Sequence, residues 1–297
     1  MIGPEDERAR PTRSPAFTDS VTFAFGDPAA QLYGLARLGL SPAPEGEGFL
    51  ASALAVLFAG REPVATLAQG GVEVPAGADW ESLSLPGLSA RVHAPLRRWS
   101  VGYADGPHGF ELTFDALGSP GEIESGDAVA AAGGMTGYEQ VCRVHGTVRA
   151  HGRVREVACL GQRGHAWGEP DWERIDATRT LAAWLPDGSG LAFASVRPAG
   201  AGDHGAERTW AALLEEAGAL SIDEPRLSTT YDGEGRQRRA GLELWVGEED
   251  GYPLRGSGEV LCGSTLDLGQ LRLDCAFFTW RVERDEGVGR YDILRRA

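Results

Sequence analysis

The chain holds four cysteines, and none stands in a CxxC pair. This scarcity excludes a ribbon-type zinc site and a redox dithiol, both of which need closely spaced cysteines. Cys142, Cys159, Cys262 and Cys275 are therefore expected as buried free thiols. Basic residues are also short: 28 Lys and Arg against 43 Asp and Glu give a net charge of −15 at pH 7. Such a surface repels polyanions, so nucleic acid and anionic membrane are not expected partners. No long hydrophobic run is present. The longest, GFLASALAVLFAG at 48–60, has 13 residues against the roughly 20 of a membrane span, and is read as a buried strand. The first fifteen residues, MIGPEDERARPTRSP, contain no apolar h-region, so they are expected to form a flexible tail rather than a signal peptide, which implies a cytoplasmic protein.

Nucleotide signatures are missing too. The chain has no Gly-x-Gly-x-x-Gly after a strand, no Walker A loop and no Gly-x-Ser-x-Gly elbow, so dinucleotide, nucleoside triphosphate and α/β-hydrolase functions lack their motifs. No cofactor and no metal is expected. The six histidines do not form a ligand set. His93 and His108 lie among turn residues, His145 sits with Arg143 and Arg149 on an expected solvated edge, and His204 beside Asp203 has no second histidine at ligand spacing.

What the chain does have is alternation. At 42% hydrophobic residues with eight Trp and ten Phe it is a folding sequence, and apolar and polar residues alternate along most of it, the period-two mark of half-buried strands. In FELTFDA, Phe110, Leu112 and Phe114 share a face; in GLELWVG, Leu242, Leu244 and Val246 do. In LAAWLPDGSGLAFASV two such runs flank Pro186-Asp187-Gly188-Ser189-Gly190, which predicts a hairpin. Helical periodicity is confined to AERTWAALLEEAG, where Trp210, Leu213, Leu214 and Ala217 fall at i, i+3, i+4 and i+7 ahead of Gly218. The stretch DALGSPGEIESGDAVAAAGGMTG, rich in glycine, alanine and acid, reads as a linker at 119–136 between β units at 16–118 and 137–297.

The densest chemistry lies in RGHAWGEPDW, residues 163 to 172. On a strand, Arg163, His165 and Trp167 take one face and Gly164, Ala166 and Gly168 the other. The small side admits another backbone closely; the large side presents a cation, an imidazole and an indole together. Turned into a barrel lumen the row would form a site. Facing solvent or an interface, it would hold only a structural stack of Trp167 on Arg163. Pro170 cannot donate to a ladder, so Glu169, Asp171 and Trp172 are expected at the barrel mouth.

GYEQVCRVHGTV at 137–148 together with GQRGHAWGEPDW at 161–172 resembles the second domain of the carotenoid 1,2-hydratase (hydroxyneurosporene synthase) superfamily. That superfamily also takes in tocopherol cyclase-like proteins, terpenoid cyclases and decalin-forming Diels–Alderases. Its uncharacterised bacterial branch has the form Gly-x-Arg-Asp-His-Ser-Trp-Gly-x-Arg-x-Trp. Gly161, Arg163, His165, Trp167, Gly168 and Trp172 match it, and Gly164, Ala166 and Pro170 replace the aspartate, serine and second arginine. The resemblance implies an all-β chain of two lipocalin-like antiparallel barrels with few helices. It implies an enzyme of hydratase or cyclase type on an isoprenoid, polyene or polyketide-like substrate, in which His165 and Trp167 carry activity. Such chemistry needs a proton donor and aromatic faces for a developing cation. His165, Glu139 and Asp171 are then the candidate catalytic groups, and Arg163, Trp167, Trp172, Tyr138 and Gln140 the candidate substrate contacts. The alternative is a non-catalytic carrier of an apolar small molecule.

Overall fold

Phe23, Phe25, Phe110, Phe114, Trp99 and Val144 all turn into one interior, and the strands that carry them bend into a barrel-like sheet. The computed structural model describes residues 2–10, 12, 14–44, 48–202, 204–245 and 253–297; Val246 and Asp203 lie outside these. The chain is all-β, with two antiparallel barrel-like sheets and, among the described residues, one short α-helix.

The first sheet opens with a meander of β1 (Thr18–Asp27), β2 (Leu32–Pro42), β3 (Phe49–Ala59) and β4 (Glu62–Val74). A second meander follows: β5 (Ser82–Leu85), β6 (Leu88–Ala94), β7 (Arg98–Asp105) and β8 (His108–Ala116). After β9 (Gly121–Ile123) and α1 (Ala128–Gly133), the long hairpin of β10 (Met135–Ala150) and β11 (Arg153–Gly168) joins the two meanders. β11 pairs with β1 and β10 pairs with β8, so the order is β4-β3-β2-β1-β11-β10-β8-β7-β6-β5.

The second sheet takes β12 (Ile175–Trp184), β13 (Gly190–Pro198), β14 (Arg208–Glu215) and β15 (Gly218–Ser221), then β16 (Glu224–Tyr231), β17 (Gln237–Trp245), β18 (Leu254–Asp267), β19 (Leu271–Val282) and β20 (Asp285–Arg296). β20 pairs with β12, giving the order β15-β14-β13-β12-β20-β19-β18-β17-β16.

Three apolar cores result. One fills the first sheet's interior, and one the interior of the second around Phe193, Phe278, Trp280 and Tyr291. The third lies between the sheets, where Tyr33, Val56 and Phe58 meet Trp184, Trp210 and Phe277. Tyr33 and Phe277 have ring centroids 5.5 Å apart.

Several expectations hold. The 13-residue apolar run contains β3, and Pro186 to Gly190 joins β12 to β13, with Trp184 opposite Gly190. All four cysteines are free; Cys142, Cys262 and Cys275 are buried as expected, and Cys159 is half-buried. Three corrections follow from the tertiary arrangement. The helical spacing at Trp210 belongs to β14: the strand is covered on both faces, Trp210, Leu214 and Ala212 by the inter-sheet core and Ala211 by the second interior, so its apolar run loses alternation and imitates a helix. The break in hydrogen bonding falls between Gly168 and Ile175 rather than at 119–136, because β10 and β11 complete the first sheet. The segment read as a tail at 1–15 carries a 3-10 turn, Pro4–Glu7, whose last residue is buried; its carboxylate is held inside the first sheet by fixed donors.

Candidate functional site

β11 places its row as the alternation requires. Arg163 and His165 point into the first interior and are each 1% exposed, while Gly164 faces the second sheet. β1 supplies the neighbour on one side. Its inward residues are Asp19, Val21, Phe23 and Phe25, and Asp19 stands opposite Trp167, diagonal to His165. The Asp19 Oδ1 lies 2.6 Å from His165 Nε2. Nδ1 of the same ring is buried and has no hydrogen-bond partner among the described residues. The ring is walled edge-on by Trp80 at 6.0 Å, Tyr138 at 5.8 Å and Trp167 at 5.1 Å between centroids.

β10 supplies the other side. Gln140 stands opposite Arg163 and Tyr138 opposite His165. Arg163 donates through Nη2 to Gln140 Oε1, and through Nη1 to Glu7 Oε1 at 2.5 Å. The Tyr138 hydroxyl also donates to Glu7 Oε1, while Glu7 Oε2 accepts from Trp99 Nε1 at 2.9 Å and from the Leu96 backbone N–H at 2.7 Å. Burial by itself would raise the Glu7 carboxyl, but the Arg163 guanidinium and these donors outweigh it and hold it below its ordinary value. Burial and the nearby Glu7 carboxylate push the Tyr138 phenol well up despite the Arg163 charge. Leu96 adopts a left-handed φ of 58° at the β6–β7 turn, and its carbonyl accepts from Gln140 Nε2 at 3.3 Å. A left-handed leucine is strained; here that conformation turns both its peptide groups to the site.

Of the expected site residues, the fold therefore brings together Arg163, His165, Trp167, Tyr138 and Gln140. It separates the other three. Glu139 lies on the opposite face of β10, where its carboxylate accepts from Gln162 Nε2 and approaches Arg290 at 3.7 Å. Asp171 is exposed and accepts from the Glu173 backbone N–H at 3.0 Å. Trp172 leaves the ladder as expected but packs against the inter-sheet core. The alternative arrangement, a structural stack of Trp167 on Arg163, gives way to other pairings. Arg10 lies over Trp167 at 3.6 Å, and the Arg163 guanidinium lies 5.6 Å and 5.4 Å from the rings of Trp99 and Tyr138.

Asp19, Glu7, Trp80 and Trp99 join the site without having been singled out in the sequence. Asp19 left a signal, since TDSVTFAFGD puts it at the polar head of an otherwise apolar inward face. Glu7, one of four acidic or basic neighbours in EDER, left none.

The interior around the row is filled by side chains: Trp80, Trp99, Tyr138 and Arg163 are all buried to within 1%. A separate polar cavity of about 160 Å³, lined by Arg61, Gln237, Cys262, Ser264 and Asp274 among others, lies at β17–β19. Among the described residues no three His, Cys, Asp or Glu side chains converge as a metal site, and no helix is long and apolar enough to cross a membrane.

Two antiparallel barrel-like sheets in one chain define a fold class shared with several solved structures. Residues 3–296 match the family described as a domain of unknown function, DUF7064, and the chain belongs to that family. No curated protein matches it. The AttH-like protein of Nitrosomonas europaea is 14% identical, with 95% of this chain and 92% of that one covered and a TM-score of 0.64. CghA bound to Sch210972 is 13% identical over 95% and 89%, with a TM-score of 0.65. Kievitone hydratase from Nectria haematococca is 12% identical over 94% and 88%, with a TM-score of 0.63. The two-barrel fold implied by the hydratase resemblance is thus the fold these proteins share.

Proposed function

We propose that the protein is a cofactor-free enzyme of hydratase or cyclase type acting on a hydrophobic isoprenoid, polyene or polyketide-like molecule, with His165 and Asp19 as its acid–base pair. One observation carries this: a buried imidazole has one nitrogen engaged by a carboxylate and the other unpartnered, inside a wall of Trp80, Tyr138 and Trp167. The carboxylate orients the ring. The free Nδ1 delivers or removes a proton, and the aromatic faces favour a cation developing on an alkene carbon. Protonation of a double bond at one carbon leaves the positive charge on its neighbour. Water capture there gives hydration, and capture by a second double bond gives a ring; in either case a proton returns to the base. The fold likeness to kievitone hydratase and to CghA in complex with Sch210972 supports a site for hydrophobic natural products.

Turnover of polyene and isoprenoid candidates by the wild-type chain and by His165→Ala tests this. General acid–base help is worth roughly 10²–10⁴-fold, so His165→Ala is expected to lose activity by that factor with affinity nearly intact. Asp19→Asn should lose most of the same factor. Full activity in His165→Ala removes the imidazole from the mechanism. Binding without turnover in the wild type makes the protein a carrier.

A further inference from the structure

Arg163, Tyr138, Trp99 and the Leu96 backbone N–H converge on a single carboxylate, and that carboxylate comes from outside the sheet. Glu7 is borne by the turn Pro4–Glu7, and no residue from 2 to 10 holds a ladder position. The second sheet contains a parallel trio. Arg179 of β12 contacts Tyr291 of β20 at 3.5 Å and pairs with Glu207, and each arginine sits two ladder positions from the residue facing its tyrosine. The two acids differ in attachment. Glu207 directly precedes β14, in the connection from β13, and accepts from His204. Residues 3–10, in contrast, lie across the His165 row as a strap: Arg10 covers Trp167, and its backbone N–H donates to Asp19 Oδ2 at 3.0 Å. The strap's anchor in the interior is thus the same four-donor set that would grip any carboxylate. Arg163 Nε, buried and without a hydrogen-bond partner among the described residues, leaves that set with capacity to spare.

We propose that these four donors are the headgroup site for a ligand bearing a carboxylate, and that residues 4–10 are an internal occupant which such a ligand displaces. This rests on the proposed function for the apolar remainder of the ligand, which would follow the path now taken by the strap. A carboxylate held by Tyr138 sets the adjoining carbons beside His165, whose ring lies 5.8 Å from the Tyr138 ring. Withdrawal of the strap also uncovers Trp167 and frees Asp19 Oδ2. The site is then opened by its own substrate, and apolar molecules without an acid leave it closed.

Retinoic acid and retinol, matched polyenes that differ in the terminal group, are suitable probes on the full chain. Retinoic acid is expected to bind, read by tryptophan quenching, and to speed tryptic cleavage after Arg8; retinol is expected to do neither. Glu7→Gln should bind retinoic acid about tenfold more tightly or better, since the competing occupant is weakened. In Glu7→Ala, acetate should raise the melting temperature and acetamide at the same ionic strength should not. Equal affinity for the two polyenes, or cleavage that ignores the acid, overturns the headgroup site while leaving a hydrophobic-ligand function standing. Acetate rescue with neither polyene bound upholds the carboxylate site and removes the polyene reading of the substrate. Absence of both acetate rescue and retinoic acid binding overturns the inference outright.

Discussion

Glu7 and Arg163 form an ion pair that water hardly reaches, with side chains 1% and 2% exposed. Breaking such a pair from one side strands the other charge and costs about 3–5 kcal/mol. Glu7→Gln should destabilise the chain by that order in urea unfolding at pH 7. Because the Glu7 carboxyl lies below its ordinary 4.5 in the folded protein, its contribution is complete above that value and disappears as pH falls through the lower folded value. The gap between wild type and Glu7→Gln should therefore close on acidification below about pH 4; a gap that persists undiminished to pH 2 would remove the carboxylate as its source. The cysteines behave differently. Burial pushes Cys142, Cys159 and Cys262 up to about 12, so they stay as thiols and are poor nucleophiles at neutral pH.

β11 works on both faces, and its small residues decide what approaches on the side away from the interior. Gly164 lies directly under the Glu139 carboxylate of its ladder partner, which a Cβ at 164 would strike. The hydratase-like pattern carries an aspartate at this position; here the neighbouring strand places an acid over it instead. Gly164→Ala should displace Glu139 from Gln162 and Arg290 and destabilise by about 1–3 kcal/mol. Combined with Glu139→Ala the loss should be smaller than the two single losses added, since both act on one contact. Additive losses in thermal or urea unfolding would show that the carboxylate does not feel the strand beneath it.

Between the sheets, apolar packing and a charged cluster coexist. Arg37 donates to Ser20 Oγ at 3.0 Å, Arg290 donates to Asp292 at 3.0 Å, and Glu139 approaches Arg290. Burial raises Asp292 from 3.8 to about 6 against the attraction of Arg290, and burial raises Glu139 as well. A carboxyl whose folded value is raised binds its proton more tightly when folded, so its contribution falls as pH rises from about 3.8 to about 6. Asp292→Asn should flatten that part of the stability profile; an unchanged slope would assign it to other groups. Since Tyr33, Val56 and Phe58 of the first sheet share one core with Trp184, Trp210 and Phe277 of the second, the two sheets should unfold in one calorimetric transition. Two separated peaks would count against that shared core as the main coupling.

The alternation of FELTFDA, TDSVTFAFGD and RGHAWG reaches from the sequence to the structure unaided, because a strand's faces are fixed by its two-residue period and not by its partners. It sorts Arg163, His165 and Trp167 from Gly164 and Ala166, and it makes the chain all-β. The hairpin at Pro186 to Gly190 is equally local. Pairing across the chain is not local. β11 meets β1 at a separation of more than a hundred residues, and that ladder brings Asp19 to His165, moves the division between the sheets past Gly168, and turns Glu139 away from the imidazole. β14 imitated a helix because burial on both faces erases alternation, and only its neighbours supply that burial. Glu7 is the extreme case: a charge amid EDER is read as solvated, and it becomes an interior anion only because Arg163, Tyr138, Trp99 and Leu96, drawn from three separate strands and a turn, offer donors at one point in space.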